Sequence, residues 1–243
     1  MDNSKIKLVA MDLDGTLTQH KESLGERNKA ALDKLAKKYK LIMVGEGKVL
    51  RIFKQMNEYP IDIIGNYGLQ YATYNPETRS LDIKRDLCFD VDREYVERKA
   101  SYFREKYGFT EFKGDSVEYH PSGCITFAIL GTKAIQSDKL SFDPDRKKRR
   151  AFYDEVCEAF DGYNVFVGGS SSFDMSPKPY NKYYALDLYC KENGISHDEV
   201  AYIGDDYGRG GNDESVYRSD IRFIKVDDYR RFPDIMKAEG FLD

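Results

Sequence analysis

The run Ile6-Lys7-Leu8-Val9-Ala10-Met11 is short, apolar and without helical spacing, which predicts a buried strand. Leu32, Leu35, Ala36 and Tyr39 then recur at helical spacing, and residues 41–44 read as a second strand. Val49, Ile52, Phe53 and Met56 mark one face of another helix, and residues 61–64 form a third short strand. Strand, helix, strand, helix, strand with short joins predicts a parallel sheet covered by helices.

The middle of the chain changes rhythm. Val96, Ala100, Phe103 and Tyr107 mark a helix ended by Gly108, and residues 116–120 and 123–130 read as a hairpin around Pro121-Ser122. A further helix carries Phe152, Val156, Ala159 and Phe160, with strands expected at 163–167 and 171–175. This is an α+β unit inserted into an α/β chain. From Lys182 the alternation resumes, with Ala185, Leu188 and Tyr189 on a helix stopped by Gly194 and strands at 200–204 and 221–226. The expected division is a core of residues 1–84 and 180–243 and an insert of residues 85–179.

Composition narrows the function class. A net charge of −4 argues against a nucleic-acid binder. The basic run Arg146-Lys147-Lys148-Arg149-Arg150 therefore reads as a solvated helix start. No apolar stretch approaches the ~20 residues of a membrane span, and the start lacks a signal-peptide core. Neither membrane nor nucleic acid is expected as a partner. The four cysteines lack CxxC spacing and the three histidines are isolated, so neither a zinc site nor a disulfide frame is indicated. A reduced cytoplasm is the expected setting.

The candidate chemistry sits after the apolar runs. Asp12 and Asp14, in Asp12-Leu13-Asp14-Gly15-Thr16, point to one side while the chain is extended. They reach the carboxyl end of the sheet, where α/β proteins place ligands. An EF-hand calcium loop would need an acid or amide at residue 16, which is Thr. Gly204-Asp205-Asp206 and Gly210-Gly211-Asn212-Asp213 follow another apolar strand. That stretch alone reads equally as an ordinary acidic turn. Carboxylates gathered at one sheet edge repel unless a cation sits among them, and hard oxygen donors favour magnesium. Lys182, at the return into the core, is a candidate to balance that charge.

Asp12-x-Asp14-Gly-Thr, a loop after the second strand, a lysine and a distal GD…ND resemble the four ordered motifs of haloacid-dehalogenase-like phosphotransferases. The segments Gly65-Asn66-Tyr67-Gly68-Leu69, Gly168 to Asp174 and Gly204 to Asp213 resemble the eukaryotic-type phosphomannomutase branch most closely. The resemblance spans nearly the whole chain. It implies a Rossmann-like core with the insert as an α/β cap of the large type, and dimerisation through that cap.

The resemblance also implies roles. Asp12 would be the nucleophile that forms an aspartyl-phosphate. Asp14 would be the general acid and base, with a pKa expected above that of a free aspartate. Mg2+ would be held by Asp12, the main chain at Asp14, Asp205 and Asp213, with Asn212 in the same ligand motif. Lys182 would supply the remaining positive charge. Lys21 stands at a substrate-phosphate position. Ser172 and Asp174 match cap positions that touch sugar hydroxyls, although they also read as strand-edge polar residues.

Two departures separate the chain from that pattern. In the second motif, Leu41-Ile-Met-Val-Gly45-Glu46-Gly47-Lys48, Gly47 replaces the hydroxyl residue that holds the phosphoryl oxygen. The Gly47 backbone N–H or the Lys48 ammonium is expected to take over, with Glu46 turned from Asp12 and a Gly47→Ser variant at least as active. Second, Ser122 to Lys133 holds no arginine where a mutase grips a second phosphate, only Lys133. The expected function is a magnesium-dependent phosphatase acting on a small phosphorylated metabolite, a sugar phosphate above others. Phosphomannomutase activity and a catalytically silent binding module are the alternatives.

Overall fold

The computed structural model describes residues 3–243. In chain order the elements are β1 (Leu8–Met11), α1 (Glu26–Leu35), β2 (Lys40–Val44), α2 (Val49–Gln55), β3 (Asp62–Gly65), β4 (Gln70–Asn75) and β5 (Ser80–Asp86). There follow α3 (Arg93–Tyr107), β6 (Val117–Tyr119), β7 (Ile125–Ala128), α4 (Gln136–Phe142), α5 (Lys147–Arg150), α6 (Tyr153–Ala159), β8 (Tyr163–Phe166) and β9 (Ser172–Pro177). The chain ends with α7 (Lys182–Asn193), β10 (Val200–Gly204), α8 (Glu214–Tyr217), β11 (Arg222–Lys225) and α9 (Phe232–Ala238).

The first unit comprises the chain up to Asp86, Lys182–Tyr207 and Asp213–Asp243. Its seven-stranded sheet has the order β11-β10-β1-β2-β3-β4-β5. The strands from β11 to β3 run parallel, and β4 and β5 add an antiparallel edge. Alternation along β1 shows why its run is continuous. Val9 and Met11 pack with α1, α2 and α9, whereas Leu8 and Ala10 pack with α7 on the other face. A strand buried on both faces has no polar side to display.

The β4–β5 hairpin is absent from the sequence reading. Most of its residues are partly or fully exposed, so it presents no apolar run.

The second unit comprises Leu87–Asn181 and Gly208–Asn212. Its antiparallel sheet has the order β6-β7-β9-β8, with Phe103, Phe127, Phe152, Phe160 and Phe173 in its core. Ser172 and Asp174 share one face of β9, and Phe173 and Met175 fill the core from the other. Residues 208–212 were expected in the core segment but group here. The Val167 N–H donates to the Gly210 carbonyl at 2.7 Å, and Arg150 Nε donates to the Arg209 carbonyl.

The basic run also differs from its expected solvated state. Arg149 is fully buried, 2.9 Å from Asp143, and donates to the carbonyls of Gly168 and Ser172. Among the described residues, no helix is long and apolar enough to cross a membrane.

Candidate active site

The parallel pairing of β1 with β10 and β2 brings three strand ends together, and with them Asp12, Asp205 and the Gly45–Lys48 loop. The Asp12 N–H donates to the Ile203 carbonyl, which continues the β1–β10 pairing to the nucleophile candidate. Gly15 then turns with φ +94°. A Cβ there would lie 2.4 Å from Asp205 Oδ2, so a glycine both permits the turn and admits that carboxylate. The Thr16 hydroxyl donates to Asp205 Oδ1 at 2.9 Å.

Asp12, Asp205 and Asp213 each offer a carboxylate oxygen within 4.8 Å of the others. Lys182, fully buried at the start of α7, places Nζ 2.6 Å from Asp12 Oδ1 and 2.8 Å from Asp213 Oδ1. Asp213 is also fully buried and takes two further kinds of donor. The Tyr202 hydroxyl reaches Oδ1 at 2.6 Å, and the N–H groups of Asp205 and Asp206 reach Oδ2 at 3.1 and 3.0 Å. With both oxygens so engaged, Asp213 anchors Lys182 and the turn that presents Asp205.

Burial pushes the Asp12 carboxyl well above the ordinary aspartate range; Lys182 opposes that shift, while Asp213 and Asp205 add to it. Burial and the charge of Asp213 lift Asp205 to about 6. Burial works against the Lys182 ammonium, but Asp12 and Asp213 outweigh it and hold its pKa above the usual lysine value. An acidic pocket of hard oxygens with one buried cation suits a divalent metal. Asp12, Asp205 and Asp213 are the three carboxylates close enough together to hold one ion.

Asp14 is held apart from this cluster. Its Oδ1 accepts from the Lys21 N–H at 2.7 Å and Gln55 Nε2 at 2.6 Å, and Arg51 Nη1 approaches Oδ2 at 3.4 Å. The expected raised pKa is overturned. Burial would raise it, but the donors from Lys21 and Gln55, with the charges of Arg51 and His20, bring it below the ordinary aspartate value. Lys21 makes this contact through its main chain, at φ +62°. Its ammonium plays no part in it.

The Gly45–Lys48 loop is pinned from β3. The Gly45 N–H donates to Ile64, and the Gly47 and Gly45 carbonyls accept from Asn66 and Tyr67. A Cβ on Gly65 would sit 2.6 Å from the Gly47 carbonyl oxygen, so this close approach needs a glycine. Glu46 accepts a long hydrogen bond from the Tyr67 hydroxyl, at 3.5 Å. Lys48 is exposed just before α2. The space beside Gly47 is filled: a Cβ there would lie 2.2 Å from Arg51 Nη2. A Gly47→Ser side chain must displace that guanidinium, which removes the basis for expecting a neutral or favourable outcome.

Lys133, Ser172, Asp174 and Asn212 all belong to the second unit. Lys133 is exposed, and its main chain pairs with Lys113. Asp174 accepts from the Thr126 hydroxyl at 2.8 Å, and the Ser172 hydroxyl donates to the Gly168 carbonyl at 3.2 Å. Asn212 ends the Gly208–Asn212 excursion, directly before Asp213.

Arg51, Gln55, Thr16 and Tyr202 were not found from sequence. Arg51 and Gln55 carried a usable signal: they stand at i and i+4 on α2, polar positions on a face that starts beside the loop.

A family model described as haloacid dehalogenase-like hydrolase matches residues 9–213. The chain belongs to this family. Within it, the chain lies near the phosphomannomutase branch and is a phosphoryl-transfer enzyme. A phosphomannomutase of Encephalitozoon cuniculi is 24% identical over 96% of this chain and 94% of its own length. One of Spinacia oleracea is 24% identical over 89% of each. Among solved structures, IMP-bound Plasmodium falciparum IMP-nucleotidase aligns with a TM-score of 0.62 at 16% identity, covering 96% of this chain and 68% of that one. A haloacid dehalogenase-like hydrolase from B. subtilis aligns at 0.61 and 15%, covering 96% and 99%. Both solved structures share the fold of this chain.

Proposed function

We propose that the protein is a magnesium-dependent phosphatase of small phosphorylated metabolites, sugar phosphates foremost, with the second unit as its specificity cap. Asp12 attacks phosphorus, the bond from phosphorus to the leaving oxygen breaks, and Asp14 gives that oxygen a proton. Water then attacks the aspartyl-phosphate and passes a proton to the Asp14 carboxylate. The bond between phosphorus and Asp12 breaks, releasing inorganic phosphate. The hydrogen bonds from Lys21 and Gln55 favour the carboxylate form of Asp14 that this second step uses. Lys182 holds Asp12 in place and offsets charge on the phosphoryl group. Magnesium, held by Asp12 and Asp205 with the main chain at Asp14, would neutralise phosphate charge and align the group.

The absence of arginine from Ser122 to Lys133 favours hydrolysis over mutation, and the buried arginines of the second unit do not replace it. Arg104 donates to the carbonyls of Phe109, Ala128 and Ile129 and to Ser116, and Arg149 is engaged by Asp143 and the carbonyls of Gly168 and Ser172. Both guanidiniums are committed to the fold, and Ser122 to Lys133 supplies no other. A mutase must retain a bisphosphate while it turns over, a task suited to bidentate arginine.

A panel of sugar phosphates assayed with and without magnesium tests this reading. Phosphate release that needs the metal and vanishes in Asp12→Asn supports it. Interconversion of mannose 1-phosphate and 6-phosphate without release favours the mutase suggested by the names of the relatives. No turnover of either kind favours a silent binding module.

A further inference from the structure

We propose that the Arg51 guanidinium, folded over Gly47, is the group that grips the transferring phosphoryl oxygens. This rests on the phosphoryl-transfer reading above and names a residue that performs it. Four observations converge on Arg51. Gly47 has no side chain, and the place where its Cβ would stand lies 2.2 to 2.6 Å from three atoms of the guanidinium. The loop carrying Gly47 follows β2, the parallel neighbour of the strand that ends at Asp12. Nη1 donates to Gln55 Oε1 at 2.8 Å, which aims the planar head along α2, while its approach to Asp14 is long, at 3.4 Å. Finally, the side chain is 41% exposed, so it is not sealed off from solvent.

A guanidinium committed to the fold would be buried among several acceptors, as Arg149 and Arg104 are. Arg51 instead has one firm hydrogen bond, one long one and a side chain that is 41% exposed. A phosphate dianion matches such a fork in charge and geometry. The Lys48 ammonium is less suited, being exposed and outside the helix start, and a Gly47 N–H offers one neutral donor where a guanidinium offers a charged fork. Arg51 thus supplies, one turn into α2, what the loop itself lacks.

The test pairs nitrophenyl phosphate turnover with calorimetric binding of orthovanadate, a phosphoryl mimic, both with magnesium present. Arg51→Met should lower kcat/KM on the order of 100-fold and weaken vanadate binding ~10-fold or more. Arg51→Lys should recover part of each. Gly47→Ser should impair the wild-type protein by displacing Arg51, yet improve Arg51→Met, because the new hydroxyl then enters vacated space. Vanadate affinity unchanged in Arg51→Met would overturn the proposal, leaving Arg51 as a buttress of Asp14. Where wild type releases phosphate and Arg51→Met matches it, only the Arg51 assignment fails. Where wild type neither turns over nitrophenyl phosphate nor binds vanadate, the phosphatase reading fails with it.

Discussion

Lys182 Nζ lies 2.6 Å from Asp12 Oδ1 although α7 begins 170 residues after that aspartate, and both side chains are almost wholly removed from water. Without the ammonium, Asp12 and Asp213 would be buried near one another with Asp205 beside them. Lys182→Met should therefore destabilise the protein by about 3–5 kcal/mol and abolish turnover. Urea unfolding and phosphate release measure the two effects. A variant of wild-type stability would show that the pocket is far wetter than its burial indicates.

Gly15 packs on the Asp205 carboxylate in a left-handed conformation. Gly15→Ala should cost about 1–3 kcal/mol in backbone strain. Its larger effect should be on metal dependence, with the magnesium needed for half-maximal activity rising ~10-fold or more as Asp205 is pushed aside. A magnesium titration of phosphate release decides it.

Asp143 and Arg149 form a buried pair 2.9 Å apart in the second unit. Arg149→Met should lower stability by about 3–5 kcal/mol. The pair also sets a pH dependence. Burial alone would raise the Asp143 pKa, but its bonds with Arg149 and Lys148 lower it below the ordinary aspartate value. A depressed folded pKa stabilises fully above the unfolded value of about 3.9 and is lost as pH falls through the folded value. The stability gap between wild type and Asp143→Asn should thus be constant above that pH and shrink below it. Urea midpoints at a series of pH values would reveal a gap that instead widens in acid.

The donors to Asp14 favour its carboxylate form, the form that receives the proton of water in the second step. In Asp14→Asn, nitrophenolate needs no proton to depart, so the first step should persist while hydrolysis of the aspartyl-phosphate stalls. Stopped-flow absorbance should show a burst of about one equivalent of nitrophenolate per protein followed by a slow phase. A uniformly slow trace would show that the first step needs Asp14 even where the leaving group requires no proton.

The alternation of apolar runs and helical faces, by itself, determined the α/β class and the approximate ends of the buried strands. It did so because parallel strands buried on both faces must be apolar throughout. The ordered motifs likewise singled out Asp12, Lys182, Asp205 and Asp213 as charged or polar residues placed at strand ends or the return into the core. Only the tertiary structure decided what surrounds them. Asp14 was expected to share the acidic crowd, but the turn at Lys21 and the face of α2 deliver N–H donors to it. Arg149 reads as one surface cation among five, and becomes a buried brace because Asp143 and the Gly168 carbonyl meet it there. Gly47 reads as a lost hydroxyl until Arg51 is found in its place. Local pattern reports which face of an element avoids water. Where a long side chain comes to rest depends on the neighbours that the whole fold assembles.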